Sequence, residues 1–299
     1  AAGFYYKTFM GPRLIGSSRA WHKIYEPLIR RAAGLGKAPL QPDPDRYANR
    51  YVHCDVLVVG AGPAGLAAAL AAAEAGARVI LCDEQPELGG ALLSEWSVEI
   101  DGVPAATWCA EAVRTLASAP RVMLLQRTQA FGYFAQNFVA LAERLTDHIA
   151  NPDRDAPRER LWQVRAKEVV LATGAIERPI VFPDNDRPGI MLADAARTYV
   201  NRYGVRPGWR AVVLAVCSSG YAAALDLNRA GIEVAMVVDP RPDASGAMSN
   251  AVRAAGIELQ NGATVIATGG RQRVTAVQIG RIGPDGRVTS GSWVPCDHV

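Results

Sequence analysis

The sequence predicts an α/β protein with parallel central sheets, built around two β-α-β units and carrying β-hairpin insertions. Two segments lead to this prediction: "CDVLVVGAGPAGLAAALAAAEAGARVILCDE" at residues 54–84 and "AVVLAVCSSGYAAALDLNRAGIEVAMVVD" at residues 211–239. Each contains an apolar run, a turn of small residues, an alanine-rich stretch and a second apolar run that ends in an acid. A strand, a helix and a parallel strand need about thirty residues, which both segments supply.

The composition is that of a globular protein with about two domains. The chain has 299 residues, of which 49% are hydrophobic and 20% charged, so a sizeable core can form. Its formal net charge of +3 is close to neutral, which argues against nucleic-acid binding. The longest apolar run, from Val56 to Glu74, contains a glycine turn, and we therefore expect no membrane span, no signal peptide and a cytoplasmic location.

The cysteines and histidines form no motif. The chain has five cysteines and four histidines, with no CxxC pair and no spacing typical of a metal site. We expect reduced thiols and no bound metal, and the sequence identifies no catalytic residue. These residues are Cys54, Cys82, Cys109, Cys217 and Cys296, and His22, His53, His148 and His298.

Three regions follow one another along the chain. Residues 1–50 form a leader, in which "YEPLIRRAAGLG" predicts a short amphipathic helix ending at Gly34 and Gly36, and "KAPLQPDPDRYANRY" predicts an extended connector. Residues 51–185 contain the first β-α-β unit, and residues 186–299 contain the second. The missing initiator Met and the final "WVPCDHV", which resembles the start of a strand, suggest part of a longer polypeptide.

Between the two units, periodicity predicts a helix over 105–118 and strands within 121–139. The polar run 147–160 predicts a surface loop, and "KEVVLATGAIERP" predicts another buried strand. A helix is expected in "PGIMLADAARTYVNRYG", and late β-structure with a hairpin at "GPDG" completes the chain.

The first unit carries the motif Gly60-Ala61-Gly62-Pro63-Ala64-Gly65 between its strand and its helix. Gly60 permits the tight turn out of the strand, and Gly65 lets the helix pack close to the sheet. Gly62 has no side chain, so a pyrophosphate can approach the backbone N–H groups where the helix begins at Pro63. This Rossmann-like pattern predicts a dinucleotide-binding site.

Two acids, Asp83 and Glu84, end the second strand of this unit. An acid about 20 residues after the glycine turn can hold the ribose hydroxyls of a dinucleotide, and it repels a 2′-phosphate. NAD or FAD is therefore favoured over NADP. Two further turns of small residues agree with such a site: Gly89-Gly90 shortly after the acids, and Ala172-Thr173-Gly174 at the end of a later strand.

The second unit departs from this pattern. Alignment of its turn with the first places Ala215, Cys217 and Gly220 at the three glycine positions, and Asp239 at the position of the acid. A Cβ at the first position opposes the tight turn, and a thiol at the second occupies the approach of a phosphate. We therefore expect a retained fold without nucleotide binding.

Several segments of the sequence resemble a known protein family. The segments "GAGPAG", "DEQPELGG", "ATGAIERP" and "FPDNDRPGIMLADAARTYVNRYG" are similar to the two-dinucleotide-binding-domain flavoproteins. More narrowly, "GFYYKTFM", "YEPLIRRAAGLGKAP" and "SSGYAAALDLNRAGIEVAMVVDPRPDASG" resemble the alpha subunits of heterotetrameric sarcosine oxidases. The resemblance covers essentially the whole chain, and the leader is its most specific part.

The resemblance implies oxidative demethylation of sarcosine to glycine, with transfer of the one-carbon unit to tetrahydrofolate and production of hydrogen peroxide. It implies NAD+ in this chain, without an established role in hydride transfer. It also implies FAD in the beta subunit, FMN at the alpha–beta interface, and beta, gamma and delta subunits as partners. A folate-handling domain and a small ferredoxin-like domain would lie outside the present sequence.

The family's NAD+ contacts map onto Ala64, onto the three residues after the second strand, onto Ala91 and onto Ala130. Combined with the motif analysis, these positions give the full set of predicted cofactor contacts. They are Gly60, Gly62, Pro63, Ala64, Gly65, Asp83, Glu84, Gln85, Gly90, Ala91, Ala130, Ala172, Thr173 and Gly174.

Three alternatives stay open at this point. The first is a self-sufficient reductase with FAD at Gly60–Gly65 and NAD(P)H at residues 212–239, which the altered second turn and the missing CxxC pair disfavour. The second is the alpha subunit of a related amine, opine or hydroxyproline dehydrogenase. The third is an interaction scaffold with an empty site.

Overall fold

The structure is a computed structural model that describes residues 21–34 and 40–299. The chain divides into two compact units, with the boundary between Arg46 and Tyr47. The leader motif "GFYYKTFM" and Gly36 lie outside the described residues. The division at residues 50 and 185 that the sequence suggested stays a prediction.

The short helix predicted in the leader is present. A π-helical turn, Trp21–Tyr25, leads into α1, Glu26–Ala32, which ends just before Gly34. Pro27 lies in the first turn of α1, where the missing N–H costs no helical hydrogen bond. Glu26 and Arg30, four residues apart, form an ion pair at 2.6 Å that supports the helix.

The compact unit from Tyr47 to Val299 contains fifteen strands and five α-helices. Its helices are α2 (Pro63–Glu74), α3 (Ala105–Ser118), α4 (Ala193–Tyr203), α5 (Ser218–Arg229) and α6 (Ala247–Ala254). Its strands are β1 (Tyr47–Val59), β2 (Val79–Cys82), β3 (Glu99–Ile100), β4 (Val103–Pro104), β5 (Val122–Leu125), β6 (Thr128–Phe134), β7 (Phe138–Arg144), β8 (Glu159–Leu171), β9 (Arg210–Leu214), β10 (Glu233–Asp239), β11 (Leu259–Asn261), β12 (Ala263–Gly269), β13 (Ala276–Ile282), β14 (Val288–Thr289) and β15 (Trp293–Pro295).

The main sheet has six strands in the order β5-β2-β1-β8-β7-β6. The first four are parallel, and β8, β7 and β6 continue the sheet as an antiparallel meander. Both faces are covered, as parallel strands require. One face packs on α2 and α3 through residues such as Val58, Leu66 and Leu116, and the other buries Leu57 and Leu141.

The later part of the chain repeats the arrangement on a smaller scale. Strands β9, β10 and β11 form a parallel sheet, and its core includes Val213, Tyr221 and Val237. Strands β12 to β15 form a separate antiparallel sheet, whose buried side chains Val265 and Val277 pack against Val238 of β10. The predicted fold class, a Rossmann-like α/β fold with two β-α-β units and hairpin insertions, is confirmed.

Two strands are longer than the sequence indicated. Strand β1 begins at Tyr47, within the predicted extended connector, and β8 begins at Glu159, within the predicted loop. The two strands pair in parallel along their whole length, from Tyr47 opposite Glu159 to Val59 opposite Leu171. The first half of β1 is polar and mostly exposed, so the apolar pattern that marks a buried strand is missing there. In β8, the buried Trp162 and Val164 alternate with polar residues, a strand pattern that no prediction covered.

Candidate functional site

The glycine turn lies at the carboxyl end of β1, between β2 and β8. Gly60 has a φ of +97°, and a Cβ at this position would lie 2.3 Å from the carbonyl oxygen of Ala172. The N–H of Ala172 donates to the carbonyl of Val59 at 2.8 Å, which holds the end of β8 beside the turn. Gly60 is therefore required both by its backbone angle and by the close approach of β8.

The other two glycines of the motif have opposite surroundings. A Cβ at Gly65 would lie 1.8 Å from the carbonyl oxygen of Gly60, so helix α2 can begin this close to the turn only with glycine there. A Cβ at Gly62, by contrast, would meet no heavy atom within 4 Å. Because α2 begins at Pro63, the N–H groups of its first turn face this open space, which has the form of an anion cradle.

Asp83 connects the end of β2 to the glycine turn. One carboxylate oxygen accepts a hydrogen bond from the N–H of Ala61 at 2.6 Å, and the other accepts from the N–H of Gln85 at 2.8 Å. Asp83 is half-buried and Glu84 is exposed. Each carboxylate oxygen has a second lone pair, so the group can hold the turn and still accept from a ribose hydroxyl.

A second loop covers the turn from the side of β2. The N–H of Gly89 donates to the carbonyl of Ala61 at 2.9 Å. A Cβ at Gly90 would lie 2.8 Å from the Cα of Gly62, and Gly90 has a φ of +54°. The following 3₁₀ turn, Gly90–Ser94, contains the exposed Ala91.

The remaining predicted contacts lie on β6 and after β8. The N–H of Thr128 donates to the carbonyl of Asp83 at 2.7 Å, so β6 starts beside the acid, with the half-buried Ala130 two residues further on. The turn after β8 contains Gly174, which has a φ of +70°. The structure thus brings one set of predicted contacts together at the carboxyl ends of β1, β2 and β8. They are Gly60, Gly62, Pro63, Ala64, Gly65, Asp83, Glu84, Gln85, Gly90, Ala91, Ala172 and Thr173.

The turn of the second β-α-β unit lies between β9 and α5. A Cβ at Gly220 would lie 2.5 Å from the Cβ of Ala215, so this glycine is required for close packing of the helix. Cys217 is exposed and immediately precedes α5, with its Sγ 3.0 Å from the Oγ of Ser219. A side chain therefore stands where the first turn has Gly62.

The acid of the second unit is fully engaged within the protein. Asp239 is completely buried, accepts a hydrogen bond from the hydroxyl of Tyr221 and pairs with the guanidinium of Arg241 at 2.6 Å. Burial alone would raise the pKa of Asp239, but the hydrogen bonds from Arg241 and Tyr221 outweigh it, and the pKa is lowered. The carboxylate is thus ionised and occupied by side chains of its own unit.

A cavity of 630 Å³ that sequence analysis missed lies beside the second turn. Its wall is mainly apolar and includes Ile176, Phe182 and Val216. Glu177, also in the wall, accepts hydrogen bonds from the N–H groups of Ala193 and Asp194 at the start of α4. The residues come from three separate segments, so no local sequence pattern marks the cavity.

The described part of the chain contains neither a metal-binding cluster nor a membrane-spanning helix. Over residues 21–34 and 40–299, no cluster of three or more His, Cys, Asp or Glu side chains could hold a metal ion. Within the same ranges, no helix is both long and apolar enough to cross a membrane.

Comparison with known proteins identifies the lineage. Residues 55–173 match the family described as "FAD dependent oxidoreductase". The whole chain aligns with the sarcosine oxidase subunit alpha of Rhizobium meliloti (strain 1021), at 45% identity over 304 residues, which is 30% of that protein. It is also 46% identical over 255 residues to the sarcosine oxidase subunit alpha of Corynebacterium sp. (strain P-1), covering 84% of this chain and 26% of that protein. The chain is a homologue of the sarcosine oxidase alpha subunits.

This homology confirms the resemblance found in the sequence. Together with the family match, it supports the assignment of the chain to an oxidoreductase. The chain spans less than a third of the length of these alpha subunits. Among solved structures, thioredoxin reductase of T. acidophilum superimposes with a TM-score of 0.59 at 18% identity, covering 82% of this chain and 75% of that one. At this identity the likeness shows the fold alone, a Rossmann-like α/β fold.

Proposed function

We propose that this region binds NAD+ at the Gly60–Gly65 turn within the alpha subunit of a sarcosine oxidase. The observation that carries the proposal is the contrast between the two turns. The first combines an open position at Gly62 with the carboxylate of Asp83, whereas the second has Cys217 and a carboxylate that Tyr221 and Arg241 occupy.

The first turn fits the diphosphate of a dinucleotide by its shape and its donors. A Cβ would fill the space above Gly62, and the N–H groups of Ala64 and Gly65 lie in the first turn of α2. Asp83 would accept hydrogen bonds from the ribose, and its negative charge disfavours a 2′-phosphate. In this proposal the bound NAD+ supplies no hydride and contributes to the structure of the subunit.

The redox chemistry is assigned to the assembled complex. Oxidative demethylation of sarcosine would take place at FAD in the beta subunit, with FMN at the alpha–beta interface and with hydrogen peroxide as a product. Transfer of the one-carbon unit to tetrahydrofolate, the gamma and delta subunits and a cytoplasmic location belong to the same proposal. Its support is the 45% identity to an alpha subunit along the whole chain.

A second candidate is FAD at the same turn, which the match to the FAD-dependent oxidoreductase family favours. In a self-sufficient reductase, a second nucleotide would then have to reach the flavin from the other β-α-β unit. The side chains of Ala215 and Cys217 and the occupied Asp239 weigh against this arrangement.

The deciding experiment is to denature the purified intact complex and to identify the released nucleotides by mass spectrometry. We expect NAD+ in an amount approaching one per alpha chain. Alpha chain separated from its partners and retaining FAD would instead establish the second candidate. An Asp83→Ala variant of the complex is the control for the site, because it should lose the nucleotide of this chain and keep the flavins of the beta subunit.

A further inference from the structure

The loop Glu87–Trp96 connects the two β-α-β units at the candidate site. One side of this loop lies on the glycine turn: the N–H of Gly89 donates to the carbonyl of Ala61 at 2.9 Å, and Gly90 packs directly against Gly62. The loop therefore packs directly on the backbone of the glycine turn.

The other side of the Glu87–Trp96 loop is bound by Arg197 of α4. The two terminal nitrogens of Arg197 donate to the two carboxylate oxygens of Glu95 at 3.1 and 2.8 Å. Its Nε donates to Asp226 of α5 at 2.8 Å. A bidentate pair of this kind fixes orientation as well as distance. One guanidinium of α4 thus ties the loop to α5, the helix of the second β-α-β unit.

The centre of this ion-pair network is buried. Arg197 is 9% exposed and Asp226 is 7% exposed, so water screens the charges poorly. Arg229 donates to the second oxygen of Asp226 at 2.9 Å. The carboxylate of Asp194 also lies 3.9 Å from Arg197. Burial by itself would lower the pKa of Arg197, but the hydrogen bonds to Glu95 and Asp226 outweigh it and raise the pKa. Arg197 is therefore charged at neutral pH.

Three more contacts join the same loop to α4. The side-chain amide of Asn201 donates to the carbonyl of Ser94 at 2.9 Å, and it also donates to Asp226 at 2.7 Å. The indole N–H of Trp96 donates to the carbonyl of Asn201 at 3.2 Å. At the start of the loop, Arg202 pairs with Glu87 at 2.7 Å. Hydrogen bonds and ion pairs thus anchor the loop to α4 at both of its ends.

We propose that Arg197 is a positioning residue for the first nucleotide site, through which α4 and the second β-α-β unit hold the Glu87–Trp96 loop against Gly62. The second unit lacks the glycines that a diphosphate needs, and this contact gives it a role in binding at the first unit. Movement of the loop away from the turn would break the bidentate pair and leave the half-buried carboxylate of Glu95 without its guanidinium. The proposal rests on nucleotide binding at the Gly60–Gly65 turn.

Two variants and one control test this role in the intact protein. Glu95→Gln keeps the shape of the side chain and removes its charge, and Arg197→Met removes the guanidinium. Arg253→Met, on the exposed face of α6, is the matched control for an arginine in the same unit. The measurements are the dissociation constant for NAD+ by calorimetry, and amide hydrogen exchange of residues 88–96 without nucleotide.

We expect Glu95→Gln and Arg197→Met to speed exchange in the loop and to raise the dissociation constant about tenfold, with no change for Arg253→Met. The double variant should lose no more affinity than Arg197→Met alone, because both changes break one contact. If Arg197→Met does not fold, Glu95→Gln decides. Faster exchange in the loop with a dissociation constant within twofold of the unchanged protein would overturn the proposal.

The nucleotide bound by the unchanged protein tests the proposed function, and the variants test the role of Arg197. If the unchanged protein releases FAD, NAD+ binding is wrong, and the same comparison made with FAD decides the role of Arg197. If the unchanged protein binds neither nucleotide, both proposals fail. Normal affinity in both variants together with NAD+ in the unchanged protein would leave the proposed function standing and overturn the role of Arg197 alone.

Discussion

The carboxylate of Asp83, at the end of β2, accepts a hydrogen bond from the backbone N–H of Ala61 at 2.6 Å. Ala61 lies inside the glycine turn, so the acid that would hold the ribose also holds the turn that would hold the diphosphate. The corresponding acid of the second unit, Asp239, is instead paired with Arg241 and Tyr221. The two acids therefore occupy matching places in the fold, but side chains of the protein already occupy the carboxylate of Asp239, whereas that of Asp83 can still accept from a ligand.

The first prediction compares these two acids. Asp83→Ala should lower the affinity for the nucleotide at least tenfold, because it removes a ribose acceptor and loosens the turn. Asp239→Ala should leave the affinity unchanged and should lower the melting temperature, because it leaves the buried side of Arg241 and Tyr221 without an acceptor. Calorimetric titration and thermal unfolding of both variants measure the two effects. Equal losses of affinity would show that the second site binds a nucleotide.

The second prediction separates two glycines of one motif. Gly62→Ala should change the free energy of unfolding by about 1 kcal/mol or less, because φ is −71° and the space around a Cβ is open. It should nevertheless abolish detectable nucleotide binding, because the methyl group fills the approach of the diphosphate. Gly65→Ala should cost about 3 kcal/mol or more, since its Cβ would overlap the carbonyl of Gly60. Urea unfolding monitored by circular dichroism gives both values, and a Gly62→Ala protein with normal affinity would contradict the assignment of the cradle.

The third prediction concerns the thiols. All five cysteines are free, and Cys217 is exposed whereas the other four are buried. Burial raises the pKa of Cys54 to about 11 and that of Cys82 to about 12, so at pH 8 their thiolate fractions are about a hundredfold or more below that of an ordinary thiol. Iodoacetamide at pH 8 should therefore label Cys217 first, and mass spectrometry of peptides identifies the site. A Cys217→Ser variant should take up label only after unfolding; rapid labelling of Cys82 would contradict the buried position of β2.

The fourth prediction is an alkaline loss of stability at the second unit. Burial and the hydrogen bond to Asp239 raise the pKa of Tyr221 to about 12, whereas an exposed tyrosine titrates near 10. The folded state holds this proton more tightly, so the contribution to stability is complete below about pH 10 and is lost as the pH rises to about 12. Two pH units correspond to about 2 to 3 kcal/mol.

Tyr221→Phe removes the titrating hydroxyl and should flatten the fall of the free energy of unfolding between pH 10 and 12. Tyr51→Phe, at an exposed tyrosine, is the control and should keep the slope of the unchanged protein. Urea unfolding at several pH values in this range provides the measurement. Identical slopes for Tyr221→Phe and the unchanged protein would mean that the hydroxyl of Tyr221 is not held by Asp239.

Much of the fold could be predicted because its signals are local. The turn Gly60–Gly65, the strand Val79–Cys82 and the helix 105–118 each show their periodicity or glycine spacing within one short window, and the structure has all three. The first half of β1 could not be predicted in this way. It is a strand because it pairs with β8 across more than a hundred residues of chain, and its polar composition carries no strand pattern.

The candidate site divides in the same manner. By itself the sequence determined the glycine turn, the acid at the end of β2 and the altered second turn, because each depends on the residue types at fixed spacings within one β-α-β unit. Only the tertiary structure decided that Asp83 holds Ala61, that Tyr221 and Arg241 occupy Asp239, and that Arg197 ties Glu95 to Asp226. These contacts join side chains that are distant in the chain, and their strength comes from burial and exact geometry that only the packed fold creates.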